Sequence, residues 1–254
     1  MTFARRTGAV QWSRMLGHGI RQRLRVPSAL LEFEGGLVAG LEDETLVRFR
    51  ASGEEVWHAQ SQYHAVTTLG AIEIGGQPHI LVGSEYYALN LFDEKGTMLW
   101  LLRLGPATAL SAADLDGNGQ KEIQYAEWTG IHAVRARDAS VMWSVNMGGE
   151  TLGVAPVSGA VNVGVASASD AGQVAVVTVD GNPKWRLDSG ESLTSMAVSG
   201  EHMALGCLSG RVQLRRLDDG RLESITEVGS AVLKLAPLRE GFAGAAERGV
   251  LFAL

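Results

Sequence analysis

The chain has 254 residues, 46% hydrophobic and 20% charged, with 32 glycines, 6 prolines and a net charge of −6. That is enough apolar material for a sizeable core, and an acidic balance gives no general attraction to phosphate backbones, so nucleic acid is not expected as a partner. The single cysteine, Cys207, excludes an internal disulfide and a cysteine-based zinc site.

Residues 1–7 carry Arg5 and Arg6 with no apolar stretch behind them, so no export signal is read and a cytoplasmic location is expected. Ala9-Val-Gln-Trp12 reads as a strand, and Arg21, Arg23 and Arg25 as the cationic side of another. Beyond them, short apolar runs alternate with tight turns to the end of the chain. Ala88-Leu-Asn-Leu-Phe before Gly96-Thr-Met-Leu-Trp100 predicts one β-hairpin, and Ala175-Val-Val-Thr-Val before Asp180-Gly-Asn-Pro-Lys-Trp185 another. The uncharged stretch 151–169 holds Pro156, Asn162 and three serines, which makes it a poor membrane span.

These hairpins repeat. Trp12, Trp57, Trp100, Trp143 and Trp185 each follow a small residue by four positions: Gly8, Gly53, Gly96, Ala139 and Gly181. Gly220 continues the row, with Ser224 in place of tryptophan. A second ladder, Gly36, Gly76, Gly119, Gly159, Gly200 and Gly241, separates two further strand-like runs in every unit. Four short strands in about forty residues is the period of a propeller blade. The sequence therefore predicts an all-β fold, a six-bladed β-propeller of four-stranded blades forming a single domain over residues 1–254. The last blade, ending in Val250-Leu-Phe-Ala-Leu254, has three strands of its own. The N-terminal strand near Ala9–Trp12 is expected to supply the fourth and close the ring.

A Gly turn followed by a strand ending in Trp, as in Gly96–Trp100, resembles the repeat of PQQ-like (quinoprotein-type) propellers, in which the tryptophan docks between neighbouring blades. The residues after the tryptophans, Ser13, His58, Leu101, Ser144 and Arg186, are never Asp, unlike a WD40 repeat. Quinoprotein enzymes are generally exported, have more blades and often grip the cofactor beside a vicinal disulfide. With one cysteine, no PQQ is expected here. Members of the family without the cofactor commonly act as assembly or interaction scaffolds, and the resemblance implies that role.

One loop carries recognisable chemistry. Asp114-Leu-Asp116-Gly-Asn118-Gly-Gln120-Lys-Glu122 resembles the calcium loop of FG-GAP (integrin-type and VCBS) repeats. Asp114, Asp116, Asn118 and Glu122 would offer side-chain oxygens and Gln120 its carbonyl to a structural Ca2+. Asn118 replaces a carboxylate and Glu122 is longer than Asp, so weak affinity is expected. The plainer reading is a good turn sequence, since Asn, Asp and Gly all tolerate left-handed backbone.

No catalytic set is read. The histidines at 18, 58, 64, 79, 132 and 202 show no ligand spacing, and His132, in Ile131–Val134, reads as a strand residue. There is no nucleophile elbow, P-loop or dinucleotide fingerprint. In a four-stranded blade, the turn between strands two and three and the connection to the next blade share one face. Glu85, Tyr86, Trp128, His64 and Arg21 fall there, and aromatics beside charge are typical interface anchors. The expectation is a non-catalytic interaction scaffold that binds another protein. The alternatives are a propeller enzyme working in the central tunnel (a metal-dependent lactonase or sugar dehydrogenase) and a lectin-like sugar binder using Tyr86 and Trp128.

Overall fold

The computed structural model describes residues 2–3, 10–17, 26–61, 64–86, 89–103, 105, 107–157 and 164–254. They form two compact units, Met1–Ala107 and Thr108–Leu254.

The first unit starts with β1 (Thr2–Phe3) and β2 (Val10–Trp12), followed by two blades. The first blade is β3 (Pro27–Phe33), β4 (Gly36–Leu41), β5 (Thr45–Phe49) and β6 (Glu55–Gln60), and the second is β7 (Val66–Ile74), β8 (Gln77–Ser84), β9 (Leu89–Asp93) and β10 (Met98–Leu102). In both, the strands pair antiparallel in chain order.

The second unit holds four blades. The third is β11 (Ala109–Ala113), β12 (Glu122–Glu127), β13 (Gly130–Arg135) and β14 (Val141–Asn146). The fourth is β15 (Thr151–Val157), β16 (Gly164–Ser169), β17 (Gln173–Thr178) and β18 (Pro183–Asp188). The fifth is β19 (Leu193–Ser199), β20 (His202–Cys207), β21 (Arg211–Arg216) and β22 (Leu222–Glu227). The sixth has three strands, β23 (Val232–Pro237), β24 (Phe242–Ala246) and β25 (Val250–Ala253).

Alternation along the middle strands buries both of their faces, and the core consists of layers shared by successive blades. Phe33, Val38 and Leu46 of the first blade pack with Val66, Ile80 and Phe92 of the second. Ile131 and Trp143 of the third meet Val165 and Val177 of the fourth. Val176 of the fourth meets Leu205 and Cys207 of the fifth. Burial pushes the Cys207 thiol up to about 11, so it behaves as a small apolar residue.

The tryptophan ladder fastens these layers. The indole N–H donates across to a carbonyl of the next hairpin: Trp12 to Ala51 at 2.9 Å, Trp57 to Glu94 at 3.0 Å, Trp143 to Val179 at 2.7 Å and Trp185 to Leu217 at 3.0 Å. The small residue has a double reason. Gly53, Gly96, Gly181 and Gly220 all have positive φ, as the bulged hairpin turn requires. A Cβ at Gly181 would also lie 2.6 Å from the Trp143 ring. Ala139 holds the same turn position at φ 59.

A second clasp escaped the sequence reading. The hydroxyl at the start of a first strand sits between a carbonyl of its own blade and one of the next first strand. Thr67 faces Gly83 and Ala107, Thr108 faces Ala126 and Thr151, and Ser28 and Thr194 reach Val66 and Val232 in the same way.

Val10–Trp12 does form a strand, and it pairs antiparallel with β1. Among the described residues the sixth sheet has three strands, and Leu251 on β25 is 83% exposed, whereas the third strands of the other blades are mostly buried.

Candidate functional site

The acidic loop joins β11 to β12, and hairpin geometry gathers its carboxylates. One oxygen from each of Asp114, Asp116 and Glu122 lies within 4.8 Å of the others. Asp114 accepts the N–H groups of Gly117 and Gly119 at 2.8 and 2.9 Å, and Asp116 accepts that of Asn118 at 3.1 Å. Glu122 is buried, and its carboxylate accepts the Leu115 N–H at 2.8 Å. Burial pushes the Glu122 carboxyl above its ordinary range, Leu115 pulls it back, and the charges of Asp116 and Asp114 raise it again.

An all-oxygen set of three carboxylates, one held out of water beside two like charges, suits a hard divalent cation. The Asn118 amide donates to Asp116 at 2.8 Å, and its oxygen accepts the Gln120 N–H at 2.7 Å.

The expected partner face divides between the units. In the first, His64 and Tyr86 meet edge to face, with ring centroids 5.0 Å apart. His64 has φ 65, a left-handed conformation unusual for a residue with a Cβ. Beside them, Ser28, Glu42, Ala65, Val66, Thr67 and Glu85 line a cavity of about 490 Å3. The Glu85 N–H donates to Ala65 at 2.9 Å, tying the turn after β8 to the start of the second blade. In the second unit, Trp128 stands at the turn between β12 and β13 and is 55% exposed. Arg21 lies outside the described residues.

Blades of four antiparallel strands, joined by a tryptophan seated on the glycine of the next hairpin, define a β-propeller of the PQQ-like repeat class. A family model described as outer membrane protein assembly factor BamB matches residues 89–233, more than half of the chain, and the chain belongs to this family. No curated protein matches it in sequence.

Solved structures show the same fold. A computationally designed protein, Ika8, is similar with a TM-score of 0.75 at 15% identity, over 92% of this chain and 72% of that one. BBS1N, solved in complex with ARL6DN, has a TM-score of 0.69 at 13% identity, covering 89% and 78%. Saccharomyces cerevisiae Sqt1 has 0.66 at 12%, covering 91% and 82%. At these identities the likeness is one of fold alone. No helix among the described residues is long and apolar enough to cross a membrane.

Proposed function

We propose that this protein is a propeller scaffold that docks another protein on the face bearing the turns between second and third strands. The observation that carries this reading is the cavity between the first two blades, with Glu42 and Glu85 in its lining and the His64–Tyr86 pair nearby. An exposed aromatic beside charge and a recess is the composition of an interface anchor. The family description, an outer membrane protein assembly factor, and a propeller neighbour solved in complex with ARL6DN support an assembly role.

Affinity capture from the native organism, run in parallel with wild type and a Tyr86→Ala/Glu85→Lys variant, tests it. A partner held by wild type is expected to bind the variant at least tenfold more weakly. Equal retention by both would remove this face from consideration.

The loop from Asp114 to Glu122 is proposed as a structural calcium site. Calcium at a hundredfold excess over its dissociation constant should stabilise the fold by about 2.7 kcal/mol. Melting in millimolar calcium against chelator should therefore shift upward, and Asp116→Ala should abolish the shift. Glu122→Gln should remove it too while raising the melting temperature in chelator, because it neutralises a carboxylate whose charge burial disfavours. The loop and Trp128 lie at opposite ends of β12, so Asp116→Ala should leave partner capture unchanged. No shift at several millimolar calcium would make the loop a turn only.

A further inference from the structure

Across the third blade, three side chains stand in one row. Tyr125 on β12 pairs with His132 on β13, which pairs with Ser144 on β14. The His132 ring stacks on the buried Tyr125 ring, with centroids 4.7 Å apart and planes 9° from parallel. Its Nδ1 lies 2.7 Å from the Ser144 hydroxyl, and its Nε2 lies 3.0 Å from the Glu127 carboxylate. The Nε2–H is out of line with that carboxylate, so charge more than a directed hydrogen bond links the two. The imidazole is mostly buried, with 17% of its side chain accessible, whereas Ser144 is exposed.

We propose that Ser144 is an acyl-accepting nucleophile, with His132 as its general base and Glu127 as the carboxylate that supports the imidazolium. This goes beyond the scaffold reading and departs from the expectation of a non-catalytic propeller. The roles follow from position. With the ring proton on Nε2 and the Glu127 charge 3.0 Å from that nitrogen, Nδ1 is free to accept the serine proton. Tyr125 restrains the ring plane by stacking.

The ladder supplies one oxyanion donor. Met147 donates its N–H to Thr129, which makes the Ser144–His132 pair a non-hydrogen-bonded one. The Ser144 N–H therefore points away from β13, to the outer edge of the outermost strand.

In the step proposed, the Ser144 oxygen attacks an ester carbonyl and its proton passes to Nδ1. The bond to the leaving alkoxide or phenoxide breaks, and that oxygen takes the proton. Water then attacks the acyl-serine by the same route and releases a carboxylic acid. Ser144 is exposed on the outermost strand, so the substrate class is small acyl esters presented at an open edge.

The test uses the whole chain with p-nitrophenyl acetate as the probe, read by the release of p-nitrophenol and by peptide mass mapping. Acetate is expected on the Ser144 peptide, absent from Ser144→Ala. His132→Gln, which keeps a hydrogen-bonding side chain opposite Ser144, should slow acylation about a hundredfold with an unchanged melting temperature. Acetyl groups confined to lysines and tyrosines, or a Ser144 adduct formed equally fast in His132→Gln, would overturn the assignment. If His132→Gln melts lower, Glu127→Gln replaces it, with slower acylation expected and an unchanged rate counting against the proposal.

Discussion

Trp143→Ala is expected to lower the unfolding free energy by about 3–5 kcal/mol in urea or guanidinium titrations. The side chain is 9% exposed, and its indole donates to Val179 while the ring covers Gly181. Truncation removes the hydrogen bond and opens a cavity in the layer shared with Val165 and Val177. Gly181→Ala should also destabilise, for two reasons: a φ of 77 that disfavours any Cβ, and a Cβ position 2.6 Å from the indole. In the double variant only the backbone cost, about 1–2 kcal/mol, accompanies the cavity. The combined loss should therefore fall short of the sum of the singles. Strict additivity would mean that the indole is not seated on this turn.

The second large effect comes from a buried charge. Arg215 is 9% exposed and Gln213 is 3% exposed, and both project from β21. The guanidinium donates twice to the Gln213 oxygen, at 3.0 and 2.8 Å, and once to the Gly220 carbonyl at 3.0 Å. Gln213 in turn donates to Ser189 of the preceding blade at 3.2 Å. Those acceptors are neutral, and burial lowers the Arg215 pKa. Gln213→Leu should therefore cost about 3 kcal/mol, because it leaves two N–H groups of a buried cation unsatisfied. Adding Arg215→Met should recover most of that loss, since an apolar pair of similar shape leaves no group stranded. A double variant as unstable as the single would show that Arg215 does not depend on Gln213.

What could be read in advance was whatever one residue type repeats. Tryptophan and glycine recur because a single geometry, an indole over a left-handed turn, admits few substitutes, and Ala139 marks how far the rule bends. The hydroxyl clasp uses Ser28, Thr67, Thr108 and Thr194 but has Leu152 and Leu233 at the corresponding places, so no period stands out. The row Tyr125, His132 and Ser144 depends on cross-strand register, which spacing along the chain does not display. His132 accordingly looked like any strand residue. The acidic loop was legible because its carboxylates are close in sequence, yet the turn hydrogen bonds that occupy Asn118 were not. The strand at Val10–Trp12 was visible in its alternation, whereas its pairing with the two-residue β1 was not.

The layered core has a consequence for how such a chain can change length. Each layer is sealed by side chains from two successive blades, so its stability is a matter between neighbours. Gaining or losing one whole repeat of about forty residues reproduces the same set of seams, with a tryptophan still finding a glycine in the next hairpin. Gaining or losing half a repeat leaves an indole without its turn and a sheet face without its cover. Relatives that differ in size should therefore differ by whole blades, and shorter insertions should gather in the turns, where no seam is crossed.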